Sequence, residues 1–168
     1  DDLIESMVEV RRSVPNVELV IVGDGYERPA LEAQISSLGA KSWIRLAGRV
    51  SDEELLSLYR RAWVVASASI AEGWGMTLTE AAGCGTPSVA TDIAGHRDSV
   101  APNLSGLLAR SSREFAESLV AVLTDQTLRD RLSAGALQHA ATLTWAATAL
   151  GTFTPLAEDA IRRHKGHS

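Results

Sequence analysis

Apolar and polar positions follow two rhythms along this chain, and the rhythms take turns. Between Asp2 and Val14 the apolar residues are Leu3, Ile4, Met7, Val8 and Val10, a spacing that returns to one face of a 3.6-residue helix. Pro15-Asn16 ends it, because proline cannot continue the helical hydrogen bonding. Val17–Gly23 (VELVIVG) is then nearly continuous in β-branched residues, the pattern of a strand buried in a parallel sheet. The helical rhythm resumes in PALEAQISSLG, with Pro29 in its first turn and Gly39 at its end, which is the expected asymmetry of helix termini.

The alternation repeats. Trp43–Gly48 (WIRLAG) predicts a strand. SDEELLSLYRRA predicts a helix opened by Ser51, with Glu54 three residues on, a capping-box spacing. Trp63–Ser69 predicts a strand, and TLTEAAGC a helix closed by Gly85 with Pro87 beyond it. SVAT and Gly106–Ala109 (GLLA) predict two more strands. SREFAESLVAVLTD and LRDRLSAGALQHAA predict two helices, and a last helical stretch covers about 144–165. Strands alternating with helices on this scale predict an α/β fold, a Rossmann-like doubly wound parallel sheet with helices on both faces. Residues 1–150 form one domain in this reading.

Composition narrows the function. The chain has 168 residues, 45% hydrophobic and 22% charged, with a net charge of −5. An acidic balance argues against nucleic acid as a partner and against nonspecific binding to anionic membranes. Cys84 is the single cysteine, so no intrachain disulfide forms, which is compatible with a reducing compartment. No apolar run reaches about 18 residues, so no membrane-spanning helix is expected. The first residues are acidic and then basic, the wrong order for a signal peptide. The absence of an initiator Met leads us to expect a fragment or a processed product.

Ligands of an open parallel sheet bind at the carboxyl ends of its strands. Three loops there carry unusual residues: Gly23-Asp24-Gly25, Gly48-Arg49-Val50-Ser51, and Ser69 through Thr77. In the third, Gly73 and Gly75 flank Trp74, so backbone can approach a ligand closely. A helix starting at about Met76 or Thr77 would offer unpaired N–H groups and a favourable dipole to a phosphate. Glu72 and Glu80 stand on either side of that helix start. A carboxylate accepts from two adjacent hydroxyls, so two of them around a phosphate site suit a ribose diphosphate sugar. The bland reading is that both acids complement the helix dipole, and spacing alone leaves the two readings open. Gly23-Asp24-Gly25 lacks the third glycine of a dinucleotide fingerprint, because Arg28 stands there. Cys84 reads as a packed thiol. There is no cysteine–histidine cluster with metal spacing and no nucleophile elbow.

Taken together, these residues resemble the donor-binding C-terminal domain of GT-B fold retaining glycosyltransferases, specifically glycosyltransferase family 4. The matching stretches are Ser69-Ile70-Ala71-Glu72-Gly73-Trp74-Gly75, Glu80-Ala81-Ala82, Gly83-Cys84-Gly85-Thr86-Pro87 and Ala94-Gly95. Two glutamates separated by seven residues and followed by Cys-Gly-Thr-Pro are a specific signal, and the resemblance covers about residues 1–150. It implies that Glu72 hydrogen-bonds hydroxyls of the donor sugar and that Glu80 holds the nucleotide ribose. It implies that backbone at Gly73, Trp74, Gly75, Met76 and Thr77 meets the sugar and diphosphate. Arg49 and Val50 would lie along the base, and Gly23 and Gly25 would floor the cleft. The reaction implied is sugar transfer from a GDP- or UDP-type donor with retained anomeric configuration. No cofactor and no obligatory metal are implied. An Arg and a Lys would stabilise the leaving diphosphate.

The chain departs from that family in ways that shape expectations. The family's first strand, with its Gly-Arg and Lys-Gly, would precede the helix at residues 2–13, and the only lysines here, Lys41 and Lys165, match neither site. The acceptor-binding N-terminal domain is also missing, so the chain alone is expected to be inactive. Without that strand, Val17–Gly23 and Trp63–Ser69 should pair directly, or another chain should fill the space between them. Exposed edges would invite self-association. The stretch 144–165 would cross to the missing domain. Ala94 replaces the usual Gly, Asp98 stands near the usual Glu, and His96 and Arg97 receive no role. A cytoplasmic chain is implied, with a parent enzyme at the inner face of the membrane. Two other readings are a nucleotide- or sugar-binding module without catalysis, and a different GT-B enzyme such as a nucleotide-sugar epimerase.

Overall fold

The computed structural model describes residues 2–144; the stretch 144–165 lies almost wholly outside them. Helices α1 (Asp2–Ser13), α2 (Arg28–Ser37) and α3 (Asp52–Arg61) alternate with strands β1 (Leu19–Val22), β2 (Ile44–Gly48) and β3 (Val65–Ser67). Then follow α4 (Met76–Gly83), β4 (Ser88–Thr91), α5 (Ala94–Ser99), β5 (Gly106–Ala109), α6 (Ser112–Thr124) and α7 (Gln126–Ala140). The elements agree with the sequence pattern except for α5, a six-residue helix over AGHRDS that the pattern left as a loop. It is too short, and too poor in apolar residues, to show a helical period.

Capping chemistry starts α3 at the expected Ser51, and it also starts α6 and α7, whose caps the sequence pattern did not single out. Ser51 Oγ accepts from the Glu54 amide at 3.2 Å, Ser111 Oγ from the Glu114 amide at 3.2 Å, and Asp125 Oδ1 from the Leu128 amide at 2.9 Å. Each satisfies one of the amides that a helix start leaves unpaired.

The strands are parallel, but they form two sheets rather than one. β1 pairs with β2, with Leu19 opposite Ile44, and β3–β4–β5 form the second sheet. In it Val65 pairs with Ser88, and Ser88 with Gly106. Of the two expected outcomes for Val17–Gly23 and Trp63–Ser69, direct pairing does not occur: β1 and β3 lie in separate sheets, with a seam between them, and exchange no ladder. The two sheets share a core instead. Met7 and Val10 of α1 share one core with Val17, Val89, Ala109 and the α6 residues Phe115, Leu119 and Val122, and Leu19 and Ala66 pack against it. Side chains of α1 and α6 together thus join residues of both sheets in one cluster.

Two smaller clusters complete the packing. Ile4, Ile35, Ala40 and Ile44 seat α1 and α2 on the first sheet. Leu78, Ala90 and Val100 seat α4 and the end of α5 on the second, with Val65 and Leu108 against them. Helix α3 is amphipathic yet buries no residue fully, and Val20 and Val22 of β1 are also exposed. The shared core on α1 and α6 therefore carries much of the stability. Truncating Phe115, which is 1% exposed, should cost about 3–5 kcal/mol. Urea unfolding of Phe115→Ala, followed by circular dichroism, measures it.

Candidate functional site

β3 ends at Ser67, and the chain then loops over to α4 at Met76. Gly75 occupies the N-cap position with φ 80 and ψ 56 and supplies no side-chain cap; glycine adopts this left-handed conformation at little cost. The amides of Leu78 and Thr79 turn back to Gly75 O. Those of Met76 and Thr77 stand at the open end of the helix, where no preceding turn supplies an acceptor.

The loop is held from below by His96, which is fully buried. Its Nδ1 lies 2.8 Å from Thr91 O and 3.1 Å from Thr91 Oγ1, and its Nε2 lies 3.1 Å from Ser67 Oγ. A carbonyl oxygen only accepts, so Nδ1 carries the proton and Nε2 accepts from the Ser67 hydroxyl. Thr91 Oγ1 in turn donates to Ser69 O, and Ser69 Oγ donates to Glu72 Oε1 at 2.9 Å. A continuous hydrogen-bonded path thus runs from a buried imidazole to the first of the two glutamates. Close packing reinforces it: a Cβ on Gly95 would sit 2.4 Å from Glu72 O. Ala94 is exposed, so its methyl fits where the family resemblance expected glycine.

Glu80 is held differently. It is exposed on α4, and the Tyr59 hydroxyl of α3 donates to its Oε2 at 3.0 Å. Burial, and after it the bond to the Glu80 carboxylate, push the Tyr59 phenol well above its ordinary range. Trp74 Nε1 donates to Thr79 Oγ1 at 2.9 Å, which lays the indole along the first turn of α4. Ile70, Trp74 and Met76 all remain exposed.

The other predicted residues gather on the first sheet. The Gly23 amide donates to Gly48 O at 2.8 Å, joining the Gly23-Asp24-Gly25 turn to the loop with Arg49 and Val50. Arg49 is exposed and Val50 half-buried. The structure therefore assembles the predicted residues as two clusters, one at the carboxyl ends of β1 and β2 and one at that of β3, with the seam between their sheets.

Pattern reading missed three features. His96 carried no signal beyond being a lone histidine. Tyr59 looked like one more residue of an amphipathic helix. Asp92, at the end of β4, accepts from Arg97 Nε at 2.6 Å and from Arg110 Nε at 3.2 Å, a triad completed by an arginine 18 positions away in sequence. The bond from Arg97, followed by that from Arg110, holds the Asp92 carboxyl below its usual range. An open groove of about 770 Å³ lies between α1 and α6, lined by Glu5, Glu9, Arg113 and Glu117; none of the predicted site residues borders it. Among the described residues no group of three or more His, Cys, Asp or Glu is placed to hold a metal ion. No helix among them is long and apolar enough to cross a membrane.

The chain is an α/β unit of parallel strands with glycine turns at the strand ends, and with Glu72 before α4 and Glu80 within it. The chain belongs to the family described as Glycosyl transferases group 1, which it matches over residues 1–139. It is 39% identical over 132 residues to the D-inositol 3-phosphate glycosyltransferase of Frankia alni, covering 77% of this chain and 32% of that protein. The chain thus spans about a third of the length of the curated relatives it matches. Its fold is that of the C-terminal domains of GT-B glycosyltransferases. A pneumococcal O-GlcNAc transferase, GtfA, in complex with UDP and GlcNAc, superposes with a TM-score of 0.79 at 24% identity, over 96% of this chain and 33% of that one. Anabaena Alr3699/HepE in complex with UDP superposes with a TM-score of 0.78 at 24% identity, over 94% and 44%.

Two outcomes check this geometry. Gly95→Ala forces a methyl against the Glu72 carbonyl and should destabilise the domain by about 1–3 kcal/mol, read from urea midpoints. Asp92 has a lowered folded-state pKa, so its contribution is present above the ordinary carboxylate value near pH 4 and is lost as pH falls through the lower folded value. Asp92→Asn should accordingly flatten the acid limb of stability, measured as urea midpoint against pH.

Proposed function

We propose that the chain is the donor-binding domain of a retaining glycosyltransferase of family 4, gripping a nucleotide diphosphate sugar. The observation that carries this reading is the loop from Ser69 to α4. It joins an open, uncapped helix start to two carboxylates, Glu72 and Glu80, each already oriented by a neighbouring hydroxyl. The amides near Met76 and Thr77 suit a diphosphate, and the carboxylates suit the hydroxyls on either side of it. Neighbours in fold that bind UDP support a nucleotide-linked donor.

In this reading Glu72 accepts from hydroxyls of the donor sugar, and Glu80 from the ribose. Gly73, Trp74, Gly75, Met76 and Thr77 present backbone to the sugar and diphosphate. Gly23 and Gly25 floor the cleft, with Arg49 and Val50 along the base. The donor is a GDP- or UDP-sugar, held without an obligatory metal. In transfer, the bond from the anomeric carbon to the diphosphate breaks, and the acceptor oxygen takes the same face. In this reading the chain, which spans about a third of the relatives it matches, binds donor without transferring it, and the acceptor site lies outside it. The proposed location of the parent enzyme is the cytoplasm.

Calorimetric titration of the chain with UDP, GDP and ADP tests the reading. One nucleotide should bind, and Glu80→Ala should weaken it about tenfold or more, the worth of a hydrogen-bonded charge. Unchanged affinity in Glu80→Ala would remove the ribose role from that residue.

A further inference from the structure

We infer that Tyr59 is a positioning residue for Glu80 and, through it, sharpens discrimination between ribose and deoxyribose; the inference rests on the ribose-holding role proposed above. Glu80 is exposed on an eight-residue helix. Left alone, its carboxylate would sample several rotamers, and a ligand would have to order it at an entropic cost. The Tyr59 hydroxyl meets Oε2 at 3.0 Å. An ionised carboxylate only accepts, so the phenol donates.

Tyr59 is a rigid donor for two reasons. Its side chain has only two rotatable bonds before the hydroxyl, and its backbone is tied down where α3 meets the α4–β4 turn. There Thr86 Oγ1 donates to Tyr59 O at 2.6 Å, and Thr86 is itself 3% exposed. Helix α3 buries no residue fully, so this tie is a substantial part of what fixes Tyr59 against α4. A carboxylate offers about four lone-pair sites. Tyr59 takes one on Oε2, which leaves Oε1 and the second site on Oε2 to accept from two adjacent hydroxyls. A hydrogen bond at an exposed acid contributes little to folding. Its main consequence is to aim the acceptor before a ligand arrives.

The test compares UDP with 2′-deoxy-UDP, and GDP with 2′-deoxy-GDP, by calorimetry on the 168-residue chain. The quantity read is the ratio of deoxy to ribo Kd within each variant. That ratio is insensitive to partial unfolding, because both ligands meet the same folded fraction. Wild type should discriminate about tenfold, Glu80→Ala should bring the ratio near one, and Tyr59→Phe should lower it to about threefold. Tyr59→Leu, which also removes the ring, should lower the ratio at least as far.

The inference is overturned if Glu80→Ala collapses the ratio while both Tyr59 variants keep the wild-type value; the ribose role of Glu80 then still stands. It is also overturned if the Tyr59 variants weaken ribo and deoxy ligands equally, which is what a purely structural tyrosine would do. If Glu80→Ala leaves the ratio intact, or if neither pair binds wild type, the ribose reading itself fails and this inference falls with it.

Discussion

His96 has no access to water, so both of its ring nitrogens need partners inside the protein. It finds them on two different strands, Thr91 at the end of β4 and Ser67 at the end of β3. That requirement ties the loop after β3 to the loop after β4, and the rest of the site is built on the tie. Thr91 reaches on to Ser69, Ser69 reaches to Glu72, and the backbone of Gly95 presses against the carbonyl of Glu72. A carboxylate at the rim of a cleft is thereby oriented by a group that never meets solvent. Enzyme sites depend on such supporting contacts, because small displacements of a functional group are costly.

The two glutamates share a loop–helix unit but are supported from opposite directions. Glu72 is held through backbone and small hydroxyls by the β3–β4 side of the core, where Gly95 has no room for a Cβ. Glu80 is held by a tyrosine projecting from α3, a helix that lies on the surface. The first support leads back to the buried His96, and the second to a half-buried tyrosine whose backbone is tied to Thr86. The seam between β1 and β3 adds a further division, because the glycine turns proposed to receive the nucleotide stand on the other sheet. A core shared by α1, through Met7 and Val10, and α6, through Phe115, Leu119 and Val122, joins the two halves.

Much of the fold was legible in the sequence because its signals are local. Ser51 caps through the residue three positions on, and the apolar run at Leu19–Val22 marks a strand, although Val20 and Val22 are exposed rather than buried as the pattern predicted. The glutamate spacing and the Cys-Gly-Thr-Pro run pointed to the third loop. Other features were not legible, for identifiable reasons. α5 spans six residues and shows no period. The Asp92–Arg97–Arg110 triad joins two strand ends that only the sheet brings together. Whether β1 would pair with β3 or leave a space between them was open from strand edges alone, and the structure leaves them in separate sheets.

The sequence by itself determined which segments become helices and strands, where the helices begin, that the strands run parallel, and which loop carries the candidate chemistry. Each of these follows from spacing within a few residues, where side-chain period and capping bonds act. The tertiary structure alone decided which strands pair, that a buried imidazole supports Glu72, and that Tyr59 supports Glu80. Those depend on contacts between residues 20 or more positions apart, such as Tyr59 with Glu80 and Ser67 with His96. No local period encodes such contacts, because their partners are chosen by how whole elements pack.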